Sequence, residues 1–279
     1  MNTNTSNSSQ MSIGLAIAWP LRALLFVEIL FGLAAMATIA LTPADTARHF
    51  AWPIKPAVTA ALLGAFYLSS AWVFVLAAIA RRWQMIRVMM IPAFLFTFTE
   101  LVATFLHWDR FSVGSMPFNV WFASYLLPPP ILAACYLWHQ RRATADSTDA
   151  PLARTVRIAL IVLGVVLAGE GVVAFIWPTV LISTAPWALS PLTARAICGW
   201  LIALGTMMLS VAYENDRNRG RIVAPFLILL LPAAAMQLSR FSGEVNWQHP
   251  RIAINAVVLS IICAIGVYLA RGEIGRAHV

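Results

Sequence analysis

Three carboxylates stand inside otherwise apolar stretches of this chain: Glu28, Glu100 and Glu170. A charge at the centre of a bilayer-spanning helix costs about 2.5–3.5 kcal/mol on insertion scales, so each is a candidate for binding a proton or a cation. The plainer alternative is a structural glutamate held by hydrogen bonds inside a helix bundle. Glu100 also belongs to a pattern. Thr97, Glu100, Thr104 and His107 follow one another at spacings of three, four and three, which places them on one helix face. Such a stripe could line a hydrated groove. It could equally pack as a polar seam against Gln237, Ser239 and Arg240.

Pro128, Pro129 and Pro130 fall near the middle of an apolar run. Three consecutive prolines remove three N–H donors and disfavour helix in the residues before them, so a broken helix is expected there. Freed carbonyls inside a membrane need a partner, and broken spans at midplane point to transporter sites. The last apolar run, however, has no such proline and carries Asn255 and Gly266 instead. Metal chemistry finds no support in the spacing. His49, His107 and His249 belong toward one end and His139 toward the other, while Cys135, Cys198 and Cys263 all lie within apolar runs. No P-loop, dinucleotide turn or nucleophile elbow is present. No catalytic residue, metal or cofactor is expected.

The elements that must position these residues follow from composition. Of 279 residues, 11% are charged and 61% hydrophobic, with a mean hydropathy of +0.80; a soluble domain carries about 25% charged residues. Eight apolar runs of spanning length occur, at roughly 22–41, 57–80, 88–106, 118–138, 158–177, 194–213, 222–239 and 251–270. They are long and lack two-residue alternation, which favours helices over a barrel. The expected fold is therefore an all-α membrane protein of eight transmembrane helices.

The net charge of +8 does not mean nucleic acid. Twelve basic residues gather on one side of the runs: Arg22, Arg81, Arg82, Arg87, Arg141, Arg142, Arg154, Arg157, Arg217, Arg219, Arg221 and Arg271. Arg48, Lys55, Arg110, Arg195, Arg240 and Arg251 make six on the other. The positive-inside rule then puts both termini in the cytoplasm, with the lipid bilayer and its anionic headgroups as the acidic partner. The start lacks the basic residues of a cleaved signal peptide and reads as a polar tail, followed by an interfacial segment with Trp19 at headgroup depth.

Those eight runs divide into two related sets. Pro43, Trp52, Pro56 and Gly64 recur as Pro178, Trp187, Pro191 and Gly199, each pair 135 positions apart. Arg110-Phe111-Ser112 recurs as Arg240-Phe241-Ser242, 130 positions apart. Each set holds four runs, an even number, so the two four-helix repeats are parallel and not inverted. Trp52 and Trp187 suit the outer membrane interface, Pro56 and Pro191 the first turn of a span, and Gly64 and Gly199 close helix contact. Under the 135 offset Glu170 matches Ala35 and not Glu28, so the carboxylates are not a symmetric set. The expected organisation is 1–20 tail and interfacial segment, 21–138 repeat one, 139–156 cytoplasmic linker and 157–272 repeat two. Residues 273–279, Glu-Ile-Gly-Arg-Ala-His-Val, resemble the translated start of a common sequencing adapter and are read as non-native.

The stretch Pro186-Trp-Ala-Leu-Ser-Pro-Leu-Thr-Ala-Arg195, with Gly199-Trp200, resembles a loop in a group of bacterial multi-span membrane proteins to which no activity is attached. The resemblance covers that loop and implies a bacterial inner-membrane location. The leading functional expectation is a permease-like carrier of a small solute or ion, using the three glutamates. The alternative is a non-catalytic assembly or sensing protein whose outer Trp and Arg loops, with Arg110, Arg195 and Arg240, meet partners. A water-sized space between the halves that reaches Glu100 and the triple proline would favour the carrier; a solid interface would favour assembly.

Overall fold

The computed structural model describes residues 15–143 and 150–271. The polar start, the linker positions Asp146 and Asp149, and the 273–279 tail lie outside the described residues. Every regular element among the described residues is helical, apart from one bridge between Ala16 and Arg82. The long helices are α1 (Trp19–Met36, continued by a π turn at Ala37–Leu41), α2 (Ala57–Ile79), α3 (Trp83–Leu106), α4 (Met116–Leu126) and α5 (Pro128–Gln140). They are followed by α6 (Arg154–Ile176), α7 (Pro191–Glu214), α8 (Ala224–Arg240) and α9 (Pro250–Ala270). Local chemistry sets the ends. Ser115 and Ser190 cap α4 and α7 by accepting from Phe118 and Thr193 backbone N–H groups, and Asn215 closes α7 at φ 48°.

Among the described residues seven helices are long and apolar enough to cross a membrane, counting α1 with its π turn and α4–α5 as one each. The eighth expected span, α8, is apolar but has only 17 residues. At 1.5 Å per residue that is about 26 Å, short of a hydrocarbon core of about 30 Å. Pro225 fixes its start and turns occupy Arg221–Val223. Most other helices begin three to five residues before the predicted runs. Their first turns hold charges that the fold uses internally, such as Arg87 in α3.

The helices pack in matched pairs. In the first half α1 lies on α2, and α3 on α4 and α5; in the second half α6 lies on α7, and α8 on α9. The halves join through α3 against α7 and α2 against α8. Apolar side chains gain little by leaving lipid for one another, so close backbone approach carries much of this packing. The α6–α7 pair shows it: a Cβ at Gly205 would collide with the Ala168 backbone N and come within 2.6 Å of the Gly164 carbonyl.

Hydrogen bonds define two ends of the bundle. At the basic end, Arg22 donates to the Ala78 and Ala80 carbonyls at 2.6 and 2.9 Å, and Arg157 donates to the Ala212 carbonyl at 3.0 Å. Glu214 there accepts from Arg87 at 2.6 Å and from Arg219 at 2.6 Å. At the opposite end, the Ala40 carbonyl accepts from Arg240 and the Phe175 carbonyl from Arg195. There too the Ser112 N–H donates to Ala51 and the Asn246 N–H to Pro186.

Candidate functional site

Because α1 packs on α2 while α4 packs on α3, a gap remains between α1 and α4. At the basic end α1 meets α5, where the Ala18 N–H donates to His139 Nε2 at 3.1 Å, so the gap is closed there. Toward the other end α1 and α4 touch little, and a cleft of about 260 Å³ opens between them. Its walls are single helix faces: Tyr67, Ser70, Ala71 and Phe74 from α2; Met89, Pro92, Ala93, Phe96 and Thr97 from α3; Val120, Trp121, Ser124 and Tyr125 from α4. Each set follows the i, i+3, i+4 spacing of one helical stripe. Trp200 and Met207 of α7 and Phe226 of α8 form the floor.

The polar groups in this cleft are nearly all spoken for. Ser70, Thr97, Ser124 and Thr38 donate to carbonyls of their own helices. Trp121 Nε1 donates to Thr104 Oγ1 at 2.9 Å, and the Tyr67 and Tyr125 hydroxyls share a hydrogen bond of 2.5 Å. One O–H of the tyrosine pair is left over among the described residues, and so is Glu28. It lines the cleft from α1, and its Oε1 is buried with no hydrogen-bond partner among the described residues. Among the described residues no Lys or Arg lines the cleft; His49, at the open end, sits 3.3 Å from Asp45.

Glu100 faces elsewhere. It is 2% exposed, neither carboxyl oxygen has a hydrogen-bond partner among the described residues, and it packs against Gly199, where a Cβ would collide with Oε1. Gly64 instead admits Ala40 of the α1 π turn, so the two matched glycines serve different contacts. Rings pack where α2 and α3 meet α7: Trp200 lies 5.2 Å from Phe66, 5.1 Å from Tyr67 and 4.1 Å from Phe96. The lining of the cleft includes none of Glu100, Pro128, Pro129 or Pro130. Those prolines interrupt the span at Leu127 and form the first turn of α5, with Pro128 and Pro129 buried.

A second cleft of about 370 Å³ lies between the halves, walled by Thr59, Leu62, Leu63 and Phe66 of α2 and by α7, α8 and α9, with Glu170 and Leu167 of α6. Its carboxylate is already paired: Arg251 of α9 forms a salt bridge with Glu170.

Three expectations need correction. Trp52 is not at a wet interface; it is 2% exposed, within 5.2 Å of Phe50, Phe111 and Trp121, because its loop folds back over α4. Trp187 lines the second cleft with its indole N–H buried. The polar stripe does not pack on α8. Its neighbour is α7, and Gln237 binds Arg240 instead, at 2.7 Å. Of the stripe, Thr97 reaches the first cleft, Thr104 takes the Trp121 bond, and His107 Nε2 accepts from Arg195 Nη1 at 2.7 Å. Burial and then Arg195 push the His107 pKa below its usual 6.5, with Asp109 opposing and Arg110 adding. Of Arg110, Arg195 and Arg240, Arg110 stays on the surface, 3.0 Å from Asp109. Pro43 is buried, Pro56 stands at the α2 N-cap, Pro178 at the N-cap of a short turn at Thr179–Thr184, and Pro191 opens α7.

Sequence reasoning missed two things. The cleft has no motif, because four helices each give it one stripe. Arg22 and Arg157 are 135 positions apart, and both bind carbonyls at the end of the following helix. The offset alone could have found that pair. In comparisons with protein-family models, with curated proteins and with solved structures, nothing matches this chain.

Proposed function

We propose that this polytopic membrane protein is a permease-like carrier whose small solute enters sideways, from the lipid, into the cleft between α1 and α4. One observation carries the reading: the cleft between α1 and α4, floored by α7 and α8, bears a carboxyl oxygen of Glu28 without a hydrogen-bond partner among the described residues. The route thus runs along the gap between α1 and α4. The assembly alternative loses its footing, since Trp52, Arg195 and Arg240 are engaged inside the bundle.

The same reading takes the chain as eight spans in two parallel repeats in a bacterial inner membrane. The chain must return from the basic end at Glu214 to the opposite end at Asn246, and α8 is the only described helix that makes that crossing. Internal matches support the duplication. Ala51 and Pro186, and Arg22 and Arg157, are each 135 apart and make like hydrogen bonds. The excess of arginine at one end supports cytoplasmic termini.

An uptake screen in vesicles, with and without a pH gradient, tests the carrier. Gly32 lines the cleft with nothing within 4 Å of an added Cβ, so Gly32→Phe should fill the mouth and fold. At least one small solute should enter faster than in protein-free vesicles, and Gly32→Phe should abolish the gain. Uptake unchanged by the variant, or no uptake at all, refutes the reading. Reporter tags after Trp52 and Arg142 should report opposite compartments.

A further inference from the structure

We infer that the cleft between α1 and α4 binds a lipophilic organic monocation, a protonated amine or quaternary ammonium, with Glu28 as its counter-ion. The inference rests on reading the cleft as ligand-accepting and names the ligand's chemistry.

Three observations converge. Oε1 of Glu28 is buried in the cleft wall without a partner, whereas the hydroxyls beside it are bonded back to their own helices. A desolvated carboxylate wants a positive or hydrogen-donating partner, and among the described residues the cleft lining offers neither Lys nor Arg. The remaining walls are rings: Phe74, Phe96, Trp121 and Trp200 present faces and edges to the space. Aromatic faces attract a cation, most strongly where water is excluded, and they accept its apolar body at no cost. The mouth lies between α1 and α4, where Met116 is 75% exposed and gives it an apolar rim, so a guest with an apolar body suits it. The second cleft sharpens the assignment. There the carboxylate of Glu170 is matched by Arg251 from the same protein, which leaves no vacancy for a foreign cation.

The test uses the full chain in lipid nanodiscs with radiolabelled benzyltrimethylammonium. Its competitor is neopentylbenzene, which replaces the charged nitrogen by carbon and keeps the shape. The cation should bind saturably, and the neutral isostere should compete about tenfold or more less well, the factor expected for a charged hydrogen-bond or ion contact. Glu28→Gln should weaken the cation about tenfold and leave the isostere unchanged, with Glu28→Asp intermediate. Gly32→Phe should exclude both. Equal binding of cation and isostere, insensitive to Glu28→Gln, overturns the cation assignment while the cleft survives as an apolar site. Binding of neither molecule, or cation binding untouched by Gly32→Phe, overturns the cleft reading as well. Should Glu28→Gln fail to fold, the isostere comparison on the unaltered chain and on Gly32→Phe decides alone.

Discussion

A single methyl group added at two glycines should move stability in opposite directions. Gly32 sits on α1 at the cleft mouth, with open space where a Cβ would point. Alanine there gains helix propensity, about 0.8–1 kcal/mol, and meets no obstacle. At Gly205 the same gain is available, but the new Cβ would collide with the Ala168 backbone N and sit 2.6 Å from the Gly164 carbonyl oxygen. Both obstacles are backbone, so no rotamer change relieves them. To reach an ordinary contact of about 3.5 Å with both, α6 and α7 must separate by about 1 Å. A gap of that size forfeits a quarter to a half of each dispersion contact along the pair, and overpacking of this kind costs about 1–3 kcal/mol. The net expectation is Gly32→Ala more stable by up to about 1 kcal/mol and Gly205→Ala less stable by about 1–2 kcal/mol. Unfolding in mixed micelles with increasing SDS, followed by tryptophan fluorescence, measures both. If Gly205→Ala matched or exceeded the unaltered protein, the close α6–α7 approach would be wrong.

Other expectations follow from the polar anchors. Glu214→Ala removes the acceptor shared by Arg87 and Arg219 at a site where the carboxylate is 7% exposed, and should cost about 3 kcal/mol in the same assay; a loss under 1 kcal/mol would contradict that role. Trp121→Phe keeps the ring but deletes the bond to Thr104, with an expected loss of about 1 kcal/mol. His107 has its folded pKa below the unfolded value of 6.5, so unfolded chains take up the proton first. Its contribution is therefore full above pH 6.5 and is lost as pH falls through the lower folded value; melting curves between pH 5 and 8 should show this slope, and His107→Gln should flatten it. Arg22→Ala and Arg157→Ala should destabilise by similar amounts, about 1–2 kcal/mol each, as matched anchors of a duplicated fold; losses differing severalfold would argue against their equivalence.

Much of the fold was legible because lipid imposes one strong rule: long apolar runs become helices. The runs around α2, α6 and α9 show it. Helix starts were misplaced where an arginine was taken as a boundary, as at Arg87 and Arg157, which lie inside first turns and find partners across the bundle. Trp52 was misplaced because residue type alone says amphipathic ring, whereas its surroundings depend on Phe111 and Trp121 arriving from distant sequence. The glutamates stood out by type. What separates Glu28 in a cleft, Glu100 against Gly199 and Glu170 beside Arg251 is tertiary, and no local spacing encodes it.

One packing detail bears on how the molecule is made. α2 and α3 are consecutive, yet each lies against a helix from the far half of the chain. When α3 leaves the ribosome, its main neighbour α7 is still about a hundred residues from completion, roughly 5–20 s at ordinary translation speeds. During that interval the buried Glu100 has no Gly199 to lie against, and the insertion machinery or the headgroup region must shelter it. Biogenesis therefore carries an obligatory waiting stage, and a ribosome stalled before residue 191 would leave behind a fragment that the cell's membrane proteases can recognise.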